Sequence, residues 1–375
     1  MPQSDAPPKT PATGGKLPFI DGLRAFAAVT IVLHHLAFYG PLSDRAHQIA
    51  PGLVAFLFDY GRFAVQIFLV VGGFVTVRHL SRLPFLDGPA IGRELWARYR
   101  RIGLPYLAAL ALAIAANEVA RLWMDDPSIS NPPSLWQLIA HAGLLTHILG
   151  FEALTAGIWY LAIDFQITVL CVVLLALAQR LDRRDPLRAF RWVTGILGLL
   201  SLFWAGRIQS LDAWAPYFFA STWMGMLVEW VRRGVLGRWV LPATAGLVVV
   251  AEAVEFRPRL VVSLATAVVL YAAVAWPKLG SRPRSPAVLF LGRISFSLFL
   301  VHFPVCLLIN AIAIRFFDPS PLASLGWMAL AVAASVAAAQ AFAVGVEERL
   351  TSLGEPARRR TGSAQLNVPV SFDSH

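Results

Sequence analysis

From Gly157 to Gln179 the chain reads GIWYLAIDFQITVLCVVLLALAQ, 23 residues whose single charge is Asp164. A helix needs roughly 17–25 apolar residues to cross about 30 Å of hydrocarbon, so this stretch predicts a membrane span. Nine further apolar segments follow, at 19–39, 58–78, 102–123, 190–206, 214–231, 239–255, 259–276, 287–314 and 322–346. Composition agrees, with 57% hydrophobic and 14% charged residues, where a soluble domain carries roughly 25% charged. An unpaired charge against lipid costs about 2.5–3.5 kcal/mol or more, which explains the deficit. The fold class expected is an all-α, polytopic transmembrane helical bundle of about ten spanning helices.

A shorter run from Trp136 to Leu149, behind Asn131-Pro132-Pro133, is a candidate eleventh span. Charge decides the count. With ten spans and a cytoplasmic N-terminus, six arginines between Arg78 and Arg101 fall inside, with the basic clusters Arg180–Arg191, Arg232–Arg238, Lys278–Arg293 and Arg349–Arg360. The outside keeps only Arg45, Arg62, Arg121, Arg207, Arg257, Arg259 and Arg315. An eleventh span would invert every basic loop after residue 150, against the positive-inside rule. Segment 124–156 is therefore an external loop, able to dip into the membrane only against protein or a water-filled cavity. The expected division is a disordered cytoplasmic N-terminus over 1–16, a membrane domain over 17–348 and a disordered cytoplasmic tail over 349–375.

The net charge of +10 would suggest nucleic acid in a soluble protein. Here the basic residues collect at helix ends, and nucleic acid is excluded as a partner. Cys171 and Cys306 both sit in apolar segments without metal-ligand spacing, so neither a disulfide framework nor a metal site is expected. The first eighteen residues lack the apolar core of a cleaved signal, making the first span an uncleaved anchor.

Polar residues inside spans are functional candidates. Arg24 and His35 are eleven residues apart, about three turns plus 20°, so they share one helix face some 16 Å apart along the axis. His34 points about 80° away. Arg24 as a snorkelling anchor with His35 as a packing residue is the bland alternative. Arg93, Arg98, Arg100 and Arg101 lead into Ile102-Gly-Leu-Pro105; guanidinium forks grip phosphate bidentately, although a positive-inside loop explains much of such a cluster. In Trp159-Tyr-Leu-Ala-Ile-Asp164-Phe-Gln166, Asp164 needs a partner or a proton, Trp159 suits an aromatic belt, and Gln166 shares the Trp159 face. Ser295 and His302 lie seven residues apart ahead of Pro304. About 10 Å along the axis separates them, too far for a direct nucleophile–base contact. Gly72 and Gly73 suit close helix approach.

In this order these stretches resemble acyltransferase family 3. Arg24 to His35 is similar to that family's arginine, ten residues, histidine motif. Phe68 to Phe74 resembles its Phe-Phe-Val-Leu-Ser-Gly-Phe segment, Arg98 to Pro105 its basic Arg-Ile-Pro stretch, Trp159 to Gln166 its Trp-Ser-Leu-Ala-Val-Glu-Glu-Gln segment, and Gly292 to Pro304 its ending with a His-x-Pro. Gly72 replaces the usual serine, Gln66 stands where an acid is frequent, Asp164 is shorter than the usual Glu, and Phe165 replaces a second one.

The resemblance implies transfer of an acyl group, such as acetyl, from a cytoplasmic acyl-CoA to a hydroxyl of an extracytoplasmic glycan, lipid or small molecule. Acyl-CoA (acetyl-CoA) enters as a co-substrate, with no permanently bound cofactor and no metal. The expected catalytic residues are His35 as general base, Arg24 and Asp164. Arg93, Arg98 and Arg101 are expected at the donor, and Trp159, Gln166, His302 and Ser295 as acceptor-side or structural polar residues. The expected location is a bacterial inner membrane with both termini cytoplasmic, in contact with its lipids; nothing in the sequence sets an oligomeric state. Two alternatives stand beside the enzyme: an exporter of a small acidic or acylated molecule using His35 and Asp164 as a proton relay, and an inactive scaffold.

Overall fold

A computed structural model describes residues 17–352. The expectations for residues 1–16 and for the tail beyond 352 lie outside the described residues. Proline at the first turn opens most of the helices, where its missing N–H costs nothing and its fixed φ suits the start. In chain order they are α1 (Pro18–Phe38), α2 (Pro41–His47), α3 (Pro51–Tyr60), α4 (Val65–Leu80) and α5 (Gly88–Trp123). Next come α6 (Leu135–Ala142), α7 (Ile158–Leu181), α8 (Pro186–Phe203), α9 (Ala215–Arg232) and α10 (Val240–Val254). The chain closes with α11 (Pro258–Ala275), α12 (Pro277–Gly280), α13 (Pro286–Phe316), α14 (Pro321–Phe342) and α15 (Glu348–Ser352).

The protein is an all-α polytopic bundle, and each of the ten apolar segments is a helix of it. Among the described residues eight stretches are long and apolar enough to cross a membrane, α3 and α4 counting together as Pro51–Leu80. The two that fall short of that measure are α9 and the 15-residue α10. Buried surroundings explain α9, whose polar Ser221, Thr222 and Glu229 all face protein rather than lipid. The run 136–149 does not span. It forms the short α6, started by a capping box between Ser134 and Gln137. The boundary expected at 348 falls at a helix, since α15 continues from Glu348 to Ser352.

Two seams set the site. Along α4 and α9, Gly73 lies so close to the Thr222 carbonyl that a Cβ would sit 1.9 Å from its oxygen, and Gly225 approaches Val70 equally closely. Of the expected glycine pair only Gly73 serves this approach; around Gly72 there is open space. The α1–α13 seam closes the same way, with Gly292 against the Asp21 carbonyl. Small residues at such crossings let backbones meet where lipid offers no hydrophobic drive.

The loop between α5 and α7 is tied to the bundle. His141 is fully buried, its Nδ1 2.5 Å from the Tyr106 hydroxyl, and its Nε2 accepts from the Leu154 N–H. Burial pushes its pKa down to about 4, keeping the ring neutral for that pairing.

Candidate functional site

The α1–α13 seam brings two imidazoles together. His35 Nδ1 lies 2.7 Å from His302 Nε2, with ring planes 4° apart. One turn back along α13, His302 Nδ1 is 3.0 Å from the Leu298 carbonyl. A carbonyl only accepts, so a neutral His302 carries its proton on Nδ1 and presents a lone pair at Nε2. His35 then donates from Nδ1, which leaves the His35 Nε2 lone pair unprotonated. That is the tautomer a general base needs. Both rings are buried. His34 is not part of this pair: its Nδ1 lies 2.9 Å from the Leu57 carbonyl, against Gly61, on another side of α1.

Nearer the arginine-rich end lies a cavity of about 200 Å³ between α1, α4, α5, α7 and α13. Arg24, Arg98 and Arg101 line it, together with Asp164, Ser295, Gly72 and Glu347. Arg98 Nη2 donates to Asp164 Oδ2 at 2.5 Å. Glu347, on the π-helical turn Ala343–Glu347, accepts from the Ser297 hydroxyl and feels the charges of Arg24 and Arg101. The Ser295 hydroxyl is fully buried and has no hydrogen-bond partner among the described residues.

Phe68, Tyr160 and Phe299 form the far wall of the cavity, their rings 5.4 to 6.3 Å apart. Phe299 also meets the His302 ring, at 6.3 Å. Arg24 therefore lines this cavity, whereas His35 is buried in the histidine pair on the other side of the aromatic layer. Trp159, beside Tyr160 in sequence, faces the other way. It lines a second pocket of about 450 Å³ at the opposite end of the bundle, with Arg62, Arg257, Arg259, Tyr217 and Phe218.

The expected residues thus divide. Arg24, Arg98, Arg101, Asp164 and Ser295 share the cavity, and His35 and His302 share the pair. Arg93 is exposed on α5 and does not line the cavity. Gln166 brackets the start of α9, donating to the Ala213 carbonyl and accepting from the Ala215 N–H. Asp164 is held by Arg98, and no hydrogen-bonded chain joins it to His35 among the described residues. Sequence reasoning missed Glu347, whose only signal was an acid closing an apolar run. It also counted Arg257 and Arg259 only among the few charges on the outside. Among the described residues no three His, Cys, Asp or Glu side chains gather as a metal site.

An all-α bundle with membrane-length helices defines a polytopic membrane protein, and its interior holds a guanidinium-lined cavity and a buried histidine pair. The chain belongs to acyltransferase family 3: the family model, described as an acyltransferase domain, matches residues 17–344. It is a membrane acyltransferase. No curated protein and no solved structure matches the chain.

Proposed function

We propose that this acyltransferase moves an acyl group from an acyl-CoA, acetyl-CoA foremost, onto a hydroxyl of an extracytoplasmic glycan, lipid or small molecule. The observation that carries the reading is the ordering of protons along Leu298, His302 and His35. It leaves His35 Nε2 as a fixed base in a buried, uncharged setting. The donor enters the cavity from the arginine-rich end, where Arg24, Arg98 and Arg101 meet its phosphates. Phosphates would compete with Asp164 and Glu347 for those guanidiniums. The acceptor hydroxyl approaches from the opposite end.

The hydroxyl oxygen attacks the thioester carbonyl carbon as His35 Nε2 takes its proton. The C–S bond then breaks, the thiolate leaves and receives that proton, and the products are an ester and a free thiol. His302 holds the base in its tautomer. The positive-inside pattern supports a cytoplasmic arginine-rich end with both termini on that side, and membership of the family supports a bacterial inner membrane as the setting.

The test is acceptor-dependent thiol release by the purified protein supplied with acetyl-CoA. A positioned general base contributes roughly 10²–10⁴ in rate, so His35→Ala is expected to lower release at least 100-fold at an unchanged protein level. Full activity in His35→Ala sinks the assignment.

A further inference from the structure

At the end of the bundle opposite the arginine-rich loops, the second pocket holds an unusual cation. Arg259 is only 7% exposed, yet it has no ion pair among the described residues. Its Nη2 donates to the Gly206 carbonyl, its guanidinium carbon lies 3.8 Å from the centre of the Tyr217 ring, and its Nε has no partner. None of the neighbouring acids pairs with Arg259, although one buried oxygen of Glu252 has no partner. Glu255 serves Arg207 and Arg257, Glu252 accepts from the backbone N–H of Arg257, and Asp212 accepts from Gln209. Arg257 donates to the same Gly206 carbonyl, so two guanidiniums crowd one acceptor.

A buried cation without a counter-ion is costly, and breaking such a balance weighs more than any surface pair. Arg259 sits in the first turn of α11, where the unpaired N–H groups of a helix start add positive potential. A further guanidinium, Arg62, lines the pocket from the side of α4. The remaining walls are flat. Trp159 and Phe218 stand 5.4 Å apart, and Tyr217 lies against Phe218. Gln66, Gln209 and Asp212 add hydroxyl partners.

We propose that this pocket is the acceptor site and that the acceptor is an anionic sugar, a pyranose bearing a carboxylate or phosphate. Arg259, Arg257 and Arg62 hold its charge, while Trp159 receives the ring face with Phe218 beside it. Trp159 backs onto Tyr160, so a sugar hydroxyl pointing inward faces the aromatic layer beside His302. This inference rests on the acyl-transfer reading for its meaning, although its binding step is measurable without a donor.

The experiment uses the full chain in detergent, without acyl-CoA, and measures binding of glucuronate, glucose 1-phosphate, glucose and inorganic phosphate by calorimetry and thermal shift. Both charged sugars are expected to bind at least ten-fold more tightly than glucose, and more tightly than phosphate alone. Arg259→Gln is expected to lose at least ten-fold of that affinity. Should it fail to fold, Arg62→Gln, at an exposed position, decides by the same loss. Equal binding of glucose and glucuronate overturns the proposal. So does undiminished binding in both variants, or stabilisation by phosphatidylglycerol nanodiscs with no response to either sugar. Acceptor-dependent thiol release onto some other alcohol without sugar binding sinks this inference alone. Sugar binding without thiol release under any condition leaves the pocket standing and sinks the acyl-transfer reading.

Discussion

In the cavity beside α5, guanidiniums meet carboxylates: Arg98 is bound to Asp164, and Glu347 faces Arg24 and Arg101. One aromatic layer away, His35 and His302 are joined by a hydrogen bond between neutral rings. The first site is a set of charges in rough balance, ready to exchange one acid for another anion. The second has no net charge and a single proton arrangement, dictated by one backbone carbonyl. The contrast separates the two tasks of group transfer. Holding a charged donor needs exchangeable cations, whereas taking a proton needs a lone pair that nothing else occupies.

Breaking the neutral pair has the largest expected effect after loss of the base itself. His302→Ala removes the acceptor that fixes His35, and thiol release is expected to fall about ten-fold or more, part of the roughly 10²–10⁴ that a positioned base contributes. His302→Gln, whose amide oxygen can accept the same proton, is expected to recover part of that loss. No recovery, with the pH profile unmoved, breaks the comparison.

The frame holding the two sites apart is tested at adjacent positions. Gly73→Ala puts a methyl into the Thr222 carbonyl, a backbone contact that cannot yield locally, and overpacking of this kind costs about 1–3 kcal/mol. Gly72→Ala meets open space and is expected to melt like the parent, with donor affinity the property that changes. Equal melting temperatures for the two variants would contradict the close approach of α4 and α9.

On the charged side, Asp164→Asn leaves Arg98 without its acid. Breaking a well-buried pair costs about 3–5 kcal/mol, and the partial exposure of this one brings the expected loss to about 1–3 kcal/mol. A thermal melt with and without acetyl-CoA checks it, since a bound phosphate should restore part of the loss.

The smallest effect lies outside both sites. His141 is held neutral, its pKa pushed from 6.5 down to about 4, so the unfolded chain binds its proton first as pH falls. Stability from this group is whole above pH 6.5 and declines as pH drops toward 4. His141→Asn is expected to flatten that decline in a pH series of thermal melts.

Much of the bundle was legible in the sequence because bilayer crossing imposes a length and a composition on each helix. All ten apolar segments are helices, and the charge-based rejection of an eleventh span agrees with the short, capped α6. The Arg24–His35 face was also readable, because it depends only on helical period. What period cannot reveal is which helix lies opposite. His302 is 267 residues from His35, and only the packing of α1 on α13 joins them. The layer of Phe68, Tyr160 and Phe299 between the Arg24 cavity and the histidine pair was hidden likewise, since aromatic residues in a span read as lipid-facing or packing alike. Gly72 and Gly73 look identical in sequence; the rotation of α4 against α9 makes one a contact and the other a space.

The three rings between the cavity and the histidine pair have an electrical consequence. Carrying one elementary charge through a membrane potential involves about 2.3 kcal/mol per 100 mV. In the proposed reaction the acyl group itself is uncharged, so its passage across this thin partition would do no work against the field. The ionic remainder of the proposed donor stays on its own side, and the one charge that crosses is the proton passed from the acceptor hydroxyl through His35 to the leaving thiolate, so a cytoplasm-negative potential would favour the transfer.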